Sequence, residues 1–172
     1  MGKDGCKKAH RGKRQAGRAM RGYEILLVDD DPDILTVIAS AFDDKGYQVT
    51  TASSGEAAIE SLSINGFDLV ITDINMAETD GIAVLKKAKE LNPETIVMIL
   101  TGNRDVNVAM DALRHGADDY MFKPCKLAEL WQRVANCLER LELKRRYARP
   151  ESHLHPLYEQ LLNIEAWRLN ER

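Results

Sequence analysis

The fold of this 172-residue chain is decided by residues 68–76, which read Asp68-Leu69-Val70-Ile71-Thr72-Asp73-Ile74-Asn75-Met76. The apolar, β-branched first part of this stretch is typical of a strand that is buried on both faces of a parallel sheet. Asp73 stands where that strand should end. An ionised carboxylate in such a place costs free energy unless it is paired, bound to a metal or used in chemistry. Asp73 is therefore the first candidate functional residue.

Polar side chains also follow three other apolar segments. Asp29, Asp30 and Asp31 follow Ile25-Leu26-Leu27-Val28, Thr101 follows residues 96–100, and Lys123 follows Tyr120-Met121-Phe122. In an open parallel sheet, the carboxyl ends of the strands lie along one edge, and ligands bind there. The sequence therefore predicts one site that combines several acids, a hydroxyl group and an ammonium group. The oxygen ligands of such a site suit Mg²⁺.

Apolar periodicity and turn residues predict five strands that alternate with five helices. The predicted strands cover residues 23–28, 47–52, 68–72, 96–100 and 118–122. The predicted helices cover residues 32–45, 54–63, 80–92 and 104–115, with an extended fifth helix from residue 126 onward. A capping box of Ser53 and Glu56 is expected to begin the second helix, and Asp80 to cap the third. This alternation predicts an α/β fold with a doubly wound, five-stranded parallel sheet.

The fifth helix carries an apolar stripe at three- and four-residue steps. Its members are Leu127, Leu130, Trp131, Val134, Leu138 and Leu141. Such a stripe packs on the sheet or on a partner. We expect it to extend past the area that one sheet face covers, and a second amphipathic stretch at residues 152–169 adds apolar surface. Both features predict a homodimer formed through the C-terminal helices, or the docking of a partner.

The composition divides the chain into a body and two tails. A hydrophobic content of 44% and a charged content of 30% are typical of a soluble globular domain. Residues 1–22 carry eight Lys or Arg and one Asp, a net charge of +7, so the overall charge of −3 leaves −10 on the remainder. We expect residues 1–22 to be a disordered basic tail, residues 23–146 the globular domain and residues 147–172 an amphipathic extension. The tail is either a solvated leader or an arm that contacts nucleic acid, anionic lipid or the acidic body.

Two further features concern localisation. No apolar run approaches the roughly 20 residues that a membrane-spanning helix needs. The three cysteines, Cys6, Cys125 and Cys137, show no metal-binding spacing, and their odd number favours free thiols. These features predict a cytoplasmic protein.

Five short motifs together resemble the receiver domain of bacterial two-component response regulators. They are Val28-Asp29-Asp30-Asp31-Pro32, residues 68–76, Asp80-Gly81, Leu100-Thr101-Gly102 and Phe122-Lys123-Pro124, in the order and spacing of that family. The resemblance covers about residues 22–146. It implies a flavodoxin-like strand order and a signalling module that accepts a phosphoryl group from a histidine kinase or a phosphotransfer protein.

The resemblance also implies roles for the residues at the sheet edge. Asp73 would be phosphorylated, and Mg²⁺ would be held by Asp30, Asp73 and the backbone carbonyl of Asn75, with Asp29 acting through water. Lys123 would supply a second positive charge and would pair with Asp73 before phosphorylation. An aspartate that attacks a phosphoryl group needs such cations to neutralise the phosphoryl oxygens.

Thr101 and Tyr120 are the expected switch residues. The resemblance implies that the Thr101 hydroxyl binds the phosphoryl group and that Tyr120 turns inward as Thr101 moves, which would shift the face made by the fourth helix, the fifth strand and the fifth helix. Tyr120 is equally explained as a half-buried strand tyrosine with a solvated hydroxyl. Ala77 replaces the proline that many receivers have at this position, and this departure bears on loop rigidity and on the rate of dephosphorylation.

Three other functions share some of these features. An aspartyl-nucleophile phosphatase would have an acid two residues after the nucleophile, where this chain has Asn75. A flavin-binding flavodoxin would have a Ser-, Thr- and Gly-rich phosphate loop where this chain has Asp29, Asp30 and Asp31. A dimerising scaffold that works without phosphorylation stays open. We expect a module with no enzymatic activity beyond self-phosphorylation and self-dephosphorylation, a downstream protein partner, and no nucleic-acid or membrane partner.

Overall fold

A five-stranded parallel sheet forms the centre of the protein. The computed structural model describes residues 22–76 and 79–147. Its strands are β1 (Glu24–Val28), β2 (Gln48–Ala52), β3 (Leu69–Thr72), β4 (Ile96–Thr101) and β5 (Asp119–Phe122). Their order across the sheet is β2-β1-β3-β4-β5, and all four neighbouring pairs are parallel. The predicted doubly wound α/β fold is confirmed, and the flavodoxin-like order places the carboxyl ends of β1 and β3 side by side.

Five helices connect and follow the strands. They are α1 (Pro32–Asp43), α2 (Gly55–Ile64), α3 (Gly81–Leu91), α4 (Val106–Arg114) and α5 (Leu127–Tyr147). The cap of α3 is Asp80, as predicted, because its carboxylate accepts a hydrogen bond from the Ala83 amide at 2.8 Å. Helix α1 ends at Asp43, two residues before the predicted end, and Gly46 after it has a φ of 86°, a conformation that glycine adopts without strain.

Two helix starts differ from the prediction. The cap of α2 is Ser54, whose hydroxyl accepts from the Ala57 amide at 3.2 Å, so the predicted capping box of Ser53 and Glu56 is wrong. Ser54 has the extended backbone that a cap requires, with φ −154° and ψ 163°. The fourth helix begins two residues later than predicted, because Asp105 accepts from the Asn107 amide and caps α4 at Val106.

Side chains that alternate along each strand supply two apolar layers. In β1, Ile25 and Leu27 face the layer that contains α1 and α5, whereas Leu26 and Val28 face the layer that contains α2, α3 and α4. All four are at most 1% exposed. Because both faces of the sheet are covered, its central strands are continuous apolar runs, and the polar residues are left at the strand ends.

The apolar stripe of α5 packs inside the protein, in contrast to the prediction that it would extend past the sheet. Leu130, Val134, Leu138 and Leu141 are all at most 1% exposed and belong to one core cluster with the sheet. The last turns of α5 are also bonded to the body, because an Arg145 guanidinium nitrogen lies 2.8 Å from an Asp68 carboxylate oxygen. This stripe therefore gives no support to a homodimer, and the second amphipathic stretch lies outside the described residues.

Several other predictions fall outside the described part of the chain. These are the basic tail apart from Gly22, the extension beyond Tyr147, Ala77 and Cys6. Cys125 and Cys137 are free thiols, as expected. In residues 22–76 and 79–147, no helix has the length and apolar character required to cross a membrane.

Candidate functional site

Three charged side chains meet where β1, β3 and β5 end. Asp29 follows β1, Asp73 follows β3, and Lys123 follows β5. The Lys123 ammonium nitrogen lies 2.5 Å from Asp29 Oδ2 and 2.7 Å from Asp73 Oδ2. Both carboxylates are buried, and the lysine is partly buried. The structure therefore brings together three of the predicted site residues in one ion-paired cluster, and the Lys123–Pro124 peptide bond beside them is cis.

Backbone groups hold the two carboxylates in place. The other oxygen of each carboxylate accepts a hydrogen bond from the amide two residues later, from Asp31 to Asp29 and from Asn75 to Asp73, both at 3.1 Å. The strands fix the backbone of the same residues, because the Asp73 amide donates to the Val28 carbonyl at 3.0 Å. Asp31 has a separate task, since its carboxylate caps α1.

The environment shifts the pKa values of these groups in different directions. Burial alone would raise the pKa of Asp73, but hydrogen bonds from Lys123, Thr101 and the Asn75 amide outweigh burial and hold that pKa below its ordinary value. For Asp29, burial dominates, and the pKa is raised. The pKa of Lys123 is also raised, because its two carboxylate partners outweigh the effect of burial. Asp73 is therefore ionised near neutral pH and faces a charged lysine.

Asp30 differs from Asp29 and Asp73 in its exposure. It is exposed and lines an open cleft of about 1080 Å³ together with Asn75 and Asn103, and α4 forms the far wall of the cleft. Within the described residues, no three His, Cys, Asp or Glu side chains are grouped so as to hold a metal ion. The predicted Mg²⁺ set does not need such a group, because two carboxylates, one backbone carbonyl and water would supply its oxygens.

Thr101 and Tyr120 are both bonded to the loop that follows β4. Thr101 is the last residue of β4 and is fully buried. Its hydroxyl donates to the Asp73 carboxylate and accepts from the Asn103 amide at 3.2 Å. The Tyr120 hydroxyl donates to the Asn103 carbonyl at 3.2 Å, so this hydroxyl has a protein partner.

Sequence reasoning missed three residues at this site. Asn103 links two loops across the cleft, because its side-chain amide donates to the Asn75 side-chain oxygen at 3.4 Å. Thr72 and Gly81 contact the backbone of Asp73, as described below. The position of Asn103 after the end of β4 is the one signal that could have identified it, because polar residues at this edge were already candidates. Thr72 and Gly81 lie within motifs that carry the resemblance, but their contacts with the Asp73 backbone depend on the folded structure and could not be predicted from the sequence.

Comparison with known proteins assigns the family. The profile described as response regulator receiver domain matches residues 25–135, so the chain belongs to the response regulator receiver family. The transcriptional regulatory protein ZraR of Escherichia coli K12 is 46% identical over 101 residues, which are 59% of this chain and 23% of ZraR. The response regulator SaeR of Staphylococcus aureus USA300 is 37% identical over 118 residues, 69% of this chain and 51% of SaeR. The chain thus spans about a quarter of ZraR and half of SaeR.

Solved structures agree with this assignment. The CheY-like receiver domain protein from Methanospirillum hungatei JF-1 superposes with a TM-score of 0.70 at 27% identity, over 73% of this chain and 98% of the other. The receiver domain of the Francisella response regulator 1452 gives 0.64 at 32% identity, over 69% and 98%. The fold is that of a receiver domain, and the chain is a module of two-component signalling.

Proposed function

We propose that this receiver accepts a phosphoryl group on Asp73 from a histidine kinase or a phosphotransfer protein, with Mg²⁺ as the required cation. The observation that carries the proposal is the position of the Asp73 carboxylate. It is ionised, held by the Asn75 amide and 2.7 Å from the Lys123 ammonium, at the edge of the sheet. A carboxylate oxygen that is oriented in this way can attack phosphorus while the bond from phosphorus to the donor breaks.

The residues around Asp73 fit a magnesium ion by their chemistry. Asp30, Asp73 and the Asn75 backbone carbonyl would hold the metal directly, and Asp29 would act through a water molecule. All of these donors are oxygens, which Mg²⁺ prefers. When bound, the ion would neutralise the phosphoryl oxygens and align the displacement.

The side chains of this site have separate tasks in the transfer. Asp73 provides the nucleophilic oxygen. Lys123 keeps its positive charge at neutral pH and can follow the developing negative charge of the phosphoryl group, because its ammonium already lies between the two buried carboxylates. The Thr101 hydroxyl, which donates to Asp73 in the structure, would donate to a phosphoryl oxygen instead.

The output is proposed to be a protein contact. Phosphorylation would change the face formed by α4, β5 and α5, and a downstream protein or a second copy of the chain would recognise that face. ZraR is named a transcriptional regulatory protein, and the match covers only 23% of it, so the expectation of no nucleic-acid partner stays a prediction. Cytoplasmic localisation and the absence of enzymatic activity beyond self-modification are likewise proposals.

Two rival functions have specific weaknesses. The phosphatase alternative lacks an acid at Asn75 to protonate a leaving group. A scaffold that works without phosphorylation would have no use for an ammonium group held between two buried carboxylates. Such an arrangement brings no net gain in stability over a well-packed apolar cluster. The phosphorylation assay below separates the scaffold from the receiver that we propose.

Intact-mass spectrometry tests the proposal. Incubation with acetyl phosphate and Mg²⁺ should add one phosphoryl group that is stable in acid and labile in base, and EDTA should prevent it. Asp73→Asn should abolish the addition, whereas the matched control Asp43→Asn, at the exposed end of α1, should not. Lys123→Ala should still be modified but should lose the downstream change. A protein with Asp73→Asn that gained the group at the wild-type rate would contradict the assignment.

A further inference from the structure

The peptide group between Asp73 and Ile74 is held from two sides. On one side, the Thr72 hydroxyl donates to the Asp73 carbonyl oxygen at 2.9 Å, in a fully buried position. On the other side lies the Cα of Gly81. A Cβ at Gly81 would collide with the Asp73 carbonyl oxygen and would lie 2.8 Å from the Asp73 carbonyl carbon. The Gly81 amide donates to the Ile74 carbonyl at 3.1 Å and closes the loop between them.

Neither residue type is explained by its own secondary structure. Thr72 ends a buried apolar strand, where valine would fill the same volume without a hydroxyl group that must be bonded. Gly81 is the first residue of α3 and is not among the described glycines with positive φ, so its backbone conformation suits any residue. What singles out both residues is their contact with the Asp73 carbonyl.

The orientation of this peptide group determines where the neighbouring site atoms lie. The Asp73 carboxylate and the Asn75 amide that bonds it stand on either side of the peptide group. A rotation of the peptide would therefore move the carboxylate away from Lys123 and would move Asn75 with it. Shifts of this kind matter, because displacing a reacting group by about 1 Å can reduce a rate roughly a hundredfold.

We propose that Thr72 and Gly81 are positioning residues, which fix the peptide group after Asp73 and thereby aim the Asp73 carboxylate and the Asn75 carbonyl at the incoming phosphoryl group and its cation. The inference rests on the proposed function. Thr72 acts by donating one hydrogen bond, and Gly81 acts by leaving space. Neither residue touches the phosphoryl group.

Four variants test this inference. Thr72→Val removes the hydroxyl and keeps the shape, Thr72→Ser restores the hydroxyl, and Gly81→Ala adds the colliding methyl group. Gly66→Ala is the matched control, because a Cβ at Gly66 meets nothing within 4 Å. Each protein is compared by its melting temperature, by its Mg²⁺ dissociation constant from calorimetry, and by its rate of phosphorylation with acetyl phosphate at saturating Mg²⁺.

Thr72→Val and Gly81→Ala should reduce the rate at saturating Mg²⁺ by roughly tenfold to a hundredfold and should also weaken Mg²⁺ binding. Thr72→Ser should recover the rate to within about threefold of wild type, a rescue that a purely structural role would not require. Gly66→Ala should leave both measurements unchanged. If Gly81→Ala does not fold, the pair of Thr72 variants decides.

The inference is overturned if Thr72→Val equals wild type in both measurements, or if Thr72→Ser is as slow as Thr72→Val. If the wild type gains no phosphoryl group, the proposed function is refuted. The inference is then tested only by comparing the Mg²⁺ dissociation constants of wild type and Thr72→Val. Weaker binding in Thr72→Val would support it, and equal binding would overturn it. A wild type that binds no Mg²⁺ would overturn both proposals.

Discussion

Replacing Lys123 with methionine removes the only positive charge that the described residues place between Asp29 and Asp73. The two carboxylates are buried, with 2% and 7% of each residue exposed. Without the ammonium group, they would face each other as like charges in a site with little water. Breaking a buried ion pair by removing one partner typically costs about 3–5 kcal/mol.

Protonation limits this loss of stability and makes it depend on pH. One carboxyl group of the pair can take up a proton and thereby remove the repulsion. For an aspartate with an ordinary pKa of about 3.9, this protonation costs about 4 kcal/mol at pH 7 and about 1.5 kcal/mol at pH 5. In the Lys123→Met protein, the pKa of that carboxyl is raised above its unfolded value. The contribution of this carboxyl group to the stability of the variant is therefore complete below about pH 4 and is lost as pH rises through the raised pKa. The difference from wild type should grow accordingly between pH 5 and pH 7.

Urea denaturation followed by circular dichroism, in EDTA at pH 5 and at pH 7, measures these differences. We expect Lys123→Met to lose about 4 kcal/mol at pH 7, which corresponds to a melting temperature lower by roughly 10 °C. Lys87→Met is the matched control, since Lys87 pairs only with Glu90 in an exposed i,i+3 arrangement that contributes less than about 0.5 kcal/mol. A Lys123→Met protein as stable as wild type at pH 7 would refute this account of the cluster, and so would a loss that is equal at the two pH values.

Three further predictions concern Lys123, the basic tail and the C-terminal extension. The pKa of Lys123 is raised above its ordinary value of 10.5, so the charged lysine should stabilise the fold fully below pH 10.5 and should lose this effect as pH rises through the higher pKa of the folded protein. The free energy of unfolding of the wild type should therefore fall between pH 9 and pH 12, and that of Lys123→Met should lack this fall. Deleting residues 1–22 should leave the melting temperature unchanged, whereas a loss of several degrees would mean that the basic tail docks on the acidic body, and a salt-dependent gel shift with DNA would indicate nucleic-acid binding. Truncation after Arg149 should reduce the fraction of dimer measured by light scattering. Self-association would be ruled out if the full chain and the truncated chain were both monomeric, with and without phosphorylation.

The fold and the centre of the site could be predicted because they depend on signals that are local in the sequence. Apolar patterns and turn residues identified the strands to within one or two residues, and the alternation with helices predicted a parallel sheet. In such a sheet the strand ends share one edge, so Asp29, Asp73 and Lys123 could be placed together without knowledge of any contact between them.

The remaining features depend on contacts between residues that are distant in the sequence. Ser53 and Ser54 are equivalent candidates for a cap until the backbone dihedral angles are known. The stripe of α5 was expected to extend past the sheet, and this was wrong. How much of the stripe is covered depends on the whole sheet face and on the ion pair between Arg145 and Asp68, which are not visible in the sequence. The hydrogen bond from Asn103 to Asn75 depends on how the loops after β3 and β4 meet in space, which the sequence does not show.

Asn103 is the point from which a change at Asp73 can spread. In the structure its amide donates to Thr101, its carbonyl accepts from Tyr120, and its side chain donates to Asn75. Under the proposed mechanism, the Thr101 hydroxyl follows a phosphoryl oxygen, which stretches the bond from the Asn103 amide and pulls on the Tyr120 hydroxyl through the same residue. The loop leads directly into α4, whose one fully buried side chain is Ala112. Because α4 has so small a share of the core, it is the helix that can shift at the least cost in packing, and this explains why the change should emerge on the face formed by α4 and β5.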